Sequence, residues 1–259
     1  MAAVLASARA DPGPPGWHGK LPALGDFVSR RLAPEFITPW DAWLSSGLHA
    51  LRSAAPASWL QAYLASPSWR FLLQPGALPG AGPGAGSTAW AGVLMPSVDR
   101  VGRYFPLTLA QALRGPPVNN QQLQVVWRGL AVWDDLARDA LHGDWTAEQL
   151  EAALHQQHAA QGSLALAVAA AADADADATD AQATHPLPLR AGQTLPVAGA
   201  GDAAQAMAQH LQPHVWRLAQ GCSWWQAVPD EGPARLWLAR GLPATLQPLF
   251  DGPCTTAAS

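Results

Sequence analysis

Two segments of the sequence place charged side chains among apolar, strand-like residues. The first, GWHGKLPALGDFVSRRL, covers residues 16–32, and the second, WAGVLMPSVDRVGRYFPLTLA, covers residues 90–110. The candidate site residues in these segments are Lys20, Asp26, Asp99, Arg100 and Arg103. Buried charges are tolerated mainly when they are paired. An aspartate close to a lysine or an arginine at a Gly/Pro turn therefore indicates an ion pair.

The pattern allows three interpretations. The charges form salt bridges that hold the turns, or a polar surface that receives a partner, or a catalytic cluster. Because Gly/Pro turns reverse the chain, we expect Asp26 and Asp99 to converge with Lys20, Arg100 and Arg103 on one face of a sheet. We favour a mixture in which the aspartates hold the turns and the arginines face outward.

Motifs for nucleotide binding and for nucleophilic catalysis are weak or absent. VAGAGDAAQAM at residues 197–207 resembles the GxGxxA fingerprint, but Pro196 interrupts the preceding strand-like run and no acidic residue follows about 20 positions on. The glycine-rich loop PGALPGAGPGAGS at residues 75–87 lacks the lysine of a P-loop. No GxSxG elbow occurs, and no motif pairs a cysteine with a histidine. We therefore predict no catalytic residue, no cofactor and no enzymatic activity.

Histidine spacing gives two weak candidates for a metal site. Glu151, His155 and His158 could share one helix face, but the sequence offers no fourth ligand, and we expect a solvated polar face. His210 and His214 have suitable spacing, but Pro213 disrupts the turn that would align them. We predict no metal site.

Composition limits the partners and the compartment. The net charge is −4, which gives no electrostatic reason to expect nucleic acid or an anionic membrane as a partner. No apolar run reaches the length of about 18 residues that a membrane helix needs. The two cysteines, Cys222 and Cys254, lie far apart. A reduced, cytoplasmic protein without membrane insertion is the simplest interpretation.

The candidate residues need a scaffold of alternating strands and helices. Short apolar runs predict strands at residues 16–21, 69–73, 90–95, 104–109, 164–168, 223–228 and 236–239. Apolar residues at helical spacing and capping signals predict helices at residues 34–51, 58–64, 119–141, 146–158, 202–211 and 243–250. The mixture favours an α/β class, built as a sandwich in layers.

The predicted organisation is a single domain over residues 16–251. A leader at residues 1–15 and a tail at residues 252–259 are expected to be disordered. The Ala/Asp-rich stretch at residues 169–184 has repeated like charges and little to pack, so it is interpreted as a disordered insertion.

The two charged segments resemble the motifs of one protein family. GKLPALGDFV at residues 19–28 resembles the opening pattern GK-x-P-x-x-GDFV of the TagF (ImpM) family, and MPSVDRVGRYFPLTL at residues 95–109 resembles its PS-x-D-x-x-GR-x-FPL signature. PWDAWL at residues 39–44, SPSWRFLL at 66–73 and ARLWLARGLP at 234–243 are also similar to this family. The resemblance extends over most of residues 16–251.

The resemblance implies a function as well as a fold. Members of the family have a three-layer α/β/α sandwich and are encoded with the type VI secretion system of Gram-negative bacteria. The resemblance implies a post-translational repressor that binds other secretion components, foremost a forkhead-associated scaffold protein. The alternative from another class is an anion- or nucleotide-binding protein, or an enzyme, that uses the Lys20/Arg103 cluster.

Overall fold

One antiparallel sheet organises the protein. The computed structural model describes residues 11–79, 88–173, 194–196, 221–228 and 235–250. Within these residues the strands are β1 Gly16–Gly19, β2 Val28–Arg30, β3 Ser68–Leu73, β4 Trp90–Met95, β5 Leu107–Ala112, β6 Thr194–Pro196, β7 Cys222–Val228 and β8 Arg235–Arg240. They lie in the order β2-β1-β5-β4-β3-β7-β8-β6, and neighbouring strands are antiparallel.

Helices of very different lengths accompany the sheet. In the same described residues they are α1 Pro34–Ala54, α2 Trp59–Leu64, α3 Asn120–His142, α4 Ala147–Gln161, α5 Leu164–Asp173 and α6 Gln247–Phe250. The combination of a large sheet with helices confirms the predicted α/β class.

Local sequence signals set the ends of the long helices. Helix α1 begins with Pro34 in its first turn, and Phe36 and Trp40 on its apolar face are buried. Asn119 caps α3 by accepting a hydrogen bond from the Gln122 amide, and Gly143 follows its last residue. The predicted capping box of Thr146 and Gln149 is present at the start of α4. These boundaries agree with the predictions because a cap depends on residues only three or four positions apart.

Buried apolar side chains form two clusters that share the strands. Leu72 belongs to the first cluster together with residues of α3, α4 and α5. Its neighbours Phe71 and Leu73 belong to the second cluster, with residues of α1, α2 and α6. Trp224 and Trp225 divide in the same way. This alternation follows from the geometry of a strand, in which successive side chains point to opposite faces.

A buried ion pair joins helix α3 to strand β3. Arg70 Nη2 lies 3.0 Å from Asp134 Oδ2, and the two side chains are 5% and 0% exposed. Arg138, one turn further along α3, donates to Ser68 Oγ at 2.7 Å. The helical stripe predicted from the sequence contains Trp133 but not Asp134, because periodicity counts apolar residues and passes over a charge that lies among them.

Two predicted strands differ from the structure. Residues 164–168 are not a strand but the start of α5, where Leu164, Ala165 and Val168 are buried in the first cluster. An apolar run of this length suits a strand or a buried helix equally well, and contact with α3 decides for the helix. The strand predicted at 104–109 begins later, as β5, after Pro106, which has no amide hydrogen for a ladder. Tyr104 instead forms an isolated bridge with Val98.

The predicted segment boundaries also shift. Pro14 and Pro15, placed in the predicted leader, are buried. Helix α5 continues to Asp173 and so includes the first residues of the predicted insertion at 169–184. The rest of that insertion, the predicted helix at 202–211 and the tail at 252–259 lie outside the described residues.

The ends of the short helices differ from the sequence signals. The closing helix is α6, which begins at Gln247 rather than at Pro243. Ser58 precedes α2 but makes no capping hydrogen bond through its side chain. Leu64, expected to face inward, is 57% exposed.

Replacing Trp127 by alanine should destabilise the protein by about 3–5 kcal/mol, since the indole is 2% exposed in the first cluster and its removal leaves a cavity. Chemical denaturation monitored by circular dichroism measures this difference. The exposed neighbour Arg128 supplies the control: Arg128→Gln should change stability by less than about 0.5 kcal/mol. Equal stability of Trp127→Ala and the wild type would contradict the assignment of the α3 core face.

Candidate functional site

The second charged motif folds into a tight hairpin, residues 97–105, which we call the motif hairpin. The Asp99 amide donates to the Arg103 carbonyl at 3.0 Å, and the Gly102 amide donates to the Asp99 carbonyl at 2.9 Å. Asp99 Oδ1 accepts from the amides of Val101 at 3.1 Å and Arg103 at 2.8 Å. The side chain of Asp99 thus closes the turn from within.

The first motif meets the motif hairpin at a buried ion pair. Lys20, which directly follows β1, donates from Nζ to Asp99 Oδ2. Lys20 is 2% exposed and Asp99 is 3% exposed. Arg103 Nε donates to the same oxygen at 2.7 Å. The Asp99 carboxylate therefore pairs with two cations and also accepts hydrogen bonds from two backbone amides. A buried charge is tolerated when it is paired and hydrogen-bonded in this way.

The environment of Asp99 keeps its carboxylate ionised. Burial by itself raises the pKa of this group, but the hydrogen bonds from Lys20 and from the Arg103 amide and side chain outweigh burial. Together they hold the pKa of Asp99 well below its usual range. The Asp99 carboxylate is consequently ionised at neutral pH.

Helix α2 fixes the base of the motif hairpin. The Tyr63 hydroxyl donates to the Ser97 carbonyl at 2.8 Å and accepts from the Ser97 amide at 2.9 Å. Burial raises the pKa of Tyr63 above its usual range, so the hydroxyl keeps its proton. Ser97 Oγ donates in turn to the Lys20 carbonyl at 2.8 Å. The hairpin is thereby held to both α2 and the first motif.

The structure brings together three of the five predicted site residues: Lys20, Asp99 and Arg103. Asp26 is exposed, and its carboxylate accepts from the Phe27 amide at 2.8 Å. Arg100 is exposed, and its backbone amide donates to the Leu24 carbonyl at 2.8 Å. Among the described residues neither side chain forms an ion pair. These two residues therefore stay outside the ion pair, although backbone contacts hold the segments that carry them together.

The prediction that arginines face outward fits Arg100 fully and Arg103 in part. The side chain of Arg103 is 55% exposed, although it also donates to Asp99 and, through Nη2, to the Gly25 carbonyl. Phe27 and Val101, at 44% and 63% exposure, lie in the same two motifs. The ion pair thus has a buried side made by Lys20 and Asp99 and an exposed side made by Arg103.

A cavity of about 480 Å³ opens beside the ion pair. It is lined by cationic and aromatic side chains and one glycine: Lys20, Phe27, Arg52, Trp59, Gly102, Arg103 and Tyr104. The Arg52 guanidinium lies 4.3 Å from the centroid of the Trp59 ring, and Lys20 Nζ lies 4.6 Å from that of Phe27. None of Arg52, Trp59 and Tyr104 is among the predicted site residues. Arg52 and Trp59 reach the motifs only through the packing of α1 and α2, and Tyr104, which belongs to the motif hairpin, carries no charge that would have marked it.

The predicted polar face of α4 contacts the first charged motif. Glu151 accepts hydrogen bonds from Trp17 Nε1 and from Arg31 Nη1. His155 lies 3.8 Å from Glu151, whereas His158 Nε2 lies 3.0 Å from Asp11. In the described part of the chain no three potential ligands lie close enough together to hold a metal ion. His210 and His214 lie outside that part.

Comparison with known proteins identifies the family. Residues 16–157, more than half of the chain, match the family described as the TagF N-terminal domain, type VI secretion system-associated. The chain belongs to the TagF family. Both charged motifs and the whole motif hairpin lie inside the matched region. The Lys20–Asp99 ion pair therefore joins the two segments on which the resemblance to TagF rests.

A solved structure resembles this TagF-family chain along most of its length. The crystal structure of PA0076 from Pseudomonas aeruginosa PAO1 is 31% identical in sequence and superposes with a TM-score of 0.59. The match covers 92% of each chain. Among proteins with curated descriptions, none matches the chain. In the described part of the structure, no helix is both long enough and apolar enough to span a bilayer.

Gly19, the first residue of the first TagF motif, occupies a position where a larger side chain does not fit. Gly19 has a φ of +134°, and a Cβ there would lie 2.1 Å from the Pro106 carbonyl oxygen. Gly102 in the motif hairpin has a φ of +81°, but a Cβ there would meet nothing within 4 Å. Both positions favour glycine through their backbone conformation, and only Gly19 also needs it for space.

Gly102→Ala should destabilise the protein by about 1–2 kcal/mol, which is the cost of a left-handed backbone for an alanine. Gly19→Ala should cost more, since the added methyl group also collides with backbone that cannot move without breaking the contact between β1 and β5. Urea denaturation of the two variants and the wild type measures both differences. Equal destabilisation by the two substitutions would show that close packing at Gly19 is not the constraint.

The ion pair should make stability depend on acidity. The pKa of Asp99 is lower in the folded state, so its contribution to stability is present above the pKa of an unfolded aspartate. That contribution is lost as the pH falls from there toward the folded-state value. Asp99→Asn should therefore lower stability at neutral pH and lose less on acidification than the wild type. Melting temperatures recorded from pH 7 downward test this.

Asp26→Asn is the matched control for that titration, because Asp26 is exposed and has no ion pair among the described residues. Its melting temperatures should follow those of the wild type at each pH. If Asp99→Asn also follows the wild type throughout, the ion pair contributes nothing to stability.

Proposed function

We propose that this protein is a non-enzymatic, cytoplasmic regulator of a bacterial type VI secretion system. In this proposal it represses the system after translation by binding other secretion components, foremost a forkhead-associated scaffold protein. Membership of a type VI secretion-associated family supports the association with that system. The meeting of the two family motifs at one ion pair supports a binding surface at that place.

The composition of the surface around the ion pair favours protein recognition. Arg103 and Phe27 are exposed there, and Trp59 and Tyr104 line the adjoining cavity. Tryptophan, tyrosine and arginine are enriched among the few residues that dominate the binding energy of protein interfaces. Lys20 and Asp99 stay buried beneath them, so the loops are held in place before a partner arrives. Such preorganisation lowers the entropic cost of binding.

We also propose the three-layer α/β/α arrangement for the whole domain. Its support is the division of strand residues between two clusters, one shared with α3, α4 and α5 and the other with α1, α2 and α6. In this arrangement the motif hairpin lies at one end of the sheet, where β4 passes into β5.

A second candidate function is the binding of a small anion or nucleotide at the Lys20/Arg103 cluster. The observation that favours it is the cavity, in which Lys20, Arg52 and Arg103 meet aromatic side chains. Against it, Lys20 Nζ and Arg103 Nε are already engaged by Asp99. These two donors are therefore less available to a small anion, whereas a protein also contacts the aromatic side chains and the remaining arginine donors, and we favour the binding of a protein.

Pull-down of the scaffold protein tests the proposed function. Arg100→Ala and Arg103→Ala should each weaken capture of the scaffold and raise secretion in the host. Arg100→Ala should leave the melting temperature unchanged, because the side chain has no ion pair among the described residues. Arg103→Ala should lower it modestly, since two side-chain hydrogen bonds are lost.

Arg128→Ala is the control for both measurements, since Arg128 is exposed on α3 and donates to Gln124 on the same helix at 3.1 Å. It should bind the scaffold and repress secretion like the wild type. Full binding and full repression by both motif variants would place the partner surface elsewhere on the protein.

A further inference from the structure

The cavity beside the ion pair has an unbalanced positive charge. Three cations line it, Lys20, Arg52 and Arg103, and none of its lining residues is acidic. The carboxylate of Asp99 lies beneath and engages Lys20 and Arg103 through one oxygen. Among the lining residues and Asp99, three positive charges therefore stand against one negative charge. The protein as a whole carries a net charge of −4, so the cavity is opposite in sign to the molecule around it.

Two of the cations keep hydrogen-bond donors for a ligand. Arg103 uses Nε for Asp99 and Nη2 for the Gly25 carbonyl, which leaves Nη1 without an acceptor among the described residues. Arg52 is exposed, and its guanidinium lies 4.3 Å from the centroid of the Trp59 ring. Stacking on an aromatic face holds a guanidinium in position and leaves the donors at its edge available.

The size and walls of the cavity indicate more than one bound group. A volume of about 480 Å³ is within the range of pockets that hold whole ligands, and it exceeds what a single carboxylate fills. Phe27, Trp59 and Tyr104 supply apolar walls. An occupant that satisfies the cavity therefore combines acidic groups for the arginines with an apolar side chain for the aromatic rings.

We propose that the cavity binds an acidic linear segment of the partner protein, in which carboxylate side chains lie close in sequence to apolar ones. One carboxylate accepts hydrogen bonds from Arg52 and another from Arg103, while an apolar side chain packs against Trp59 and Tyr104. The carboxylates complement the positive charge of the cavity, and the apolar side chain complements its aromatic walls. This inference rests on the proposed function, because it specifies the partner chemistry of the same surface.

Fluorescence anisotropy with a defined probe tests the inference on the full chain. The probe is a fluorescein-labelled heptapeptide of alternating glutamate and leucine, and the matched probe has glutamine in place of each glutamate. The wild type should bind the glutamate peptide at least about tenfold more tightly than the glutamine peptide. Added salt should weaken the binding, because exposed charges are screened.

Variants locate the binding. Arg52→Gln and Arg103→Gln should each weaken binding of the glutamate peptide by about tenfold or more, and Arg128→Gln should bind it like the wild type. Arg52→Gln is the cleaner of the two, since Arg52 has no ion pair among the described residues and its loss leaves Asp99 paired. No binding by the wild type, equal binding of the two peptides, or equal weakening by Arg128→Gln would overturn the inference.

Two further experiments test whether something other than an acidic segment of a partner occupies the cavity. If inorganic phosphate at matched ionic strength displaces the peptide as well as unlabelled peptide does, the cavity is a small-anion site and the inference is wrong. If a variant with Asp175, Asp177 and Asp180 changed to asparagine binds the probe and the wild type does not, the chain's own acidic segment occupies the cavity, and the inference is again wrong.

Scaffold pull-down in parallel separates this inference from the proposed function. Capture of the scaffold by the wild type and by Arg52→Gln alike would remove the acidic-segment inference and leave the proposed function intact. Failure of the wild type to capture the scaffold, together with selective binding of the glutamate peptide, would remove the scaffold as partner and retain the cavity as an acidic-peptide site.

Discussion

The buried ammonium group of Lys20 sets the main constraint on this structure. A lysine that is 2% exposed is tolerated only if its charge is balanced nearby, and Asp99 provides that balance from a segment almost eighty residues away in the chain. To bring its carboxylate to Lys20, Asp99 has to sit in the turn of the motif hairpin, where it also accepts two backbone amides. The ion pair and the turn therefore depend on each other.

A second buried ion pair acts in a different part of the fold. Arg70 on β3 and Asp134 on α3 meet beneath the helix, and both are almost fully buried. Ionic contacts of this kind cost desolvation energy, and hydrophobic residues of similar size often give equal or better stability. The pair ties α3 to β3 at one point, and Trp127 and Trp133 are buried along the same helix.

Hydrogen bonds beneath the motif hairpin hold in place the polar surface at which we propose that a partner binds. Tyr63, Ser97 and Lys20 form a continuous chain of hydrogen bonds from α2 to the first motif. Arg103 and Phe27 project from this base into solvent. Because the loops are fixed in advance, little conformational entropy is lost when a partner binds. In the proposed function, the buried side of the ion pair holds the loops in place and its exposed side contacts the partner.

The sequence by itself determined the features that depend on short spacings. The caps at Asn119 and Thr146, the apolar face of α3 and the strand at Trp90–Met95 involve residues a few positions apart, and their chemistry is visible in the printed order. The two charged motifs were also recognisable, together with the family they mark. Only the tertiary structure decided which charges meet: it paired Lys20 with Asp99 and left Asp26 and Arg100 exposed.

The same limit applies to the cavity and to α5. Arg52, Trp59 and Tyr104 come from three separate elements, and their meeting depends on how α1 and α2 pack, which no local pattern encodes. Residues 164–168 have an apolar run that suits a strand or a buried helix equally well, and contact with α3 selects the helix. Short-range spacing specifies an element because neighbouring residues are held by the chain itself, whereas a site built from distant elements depends on the sum of many packing contacts.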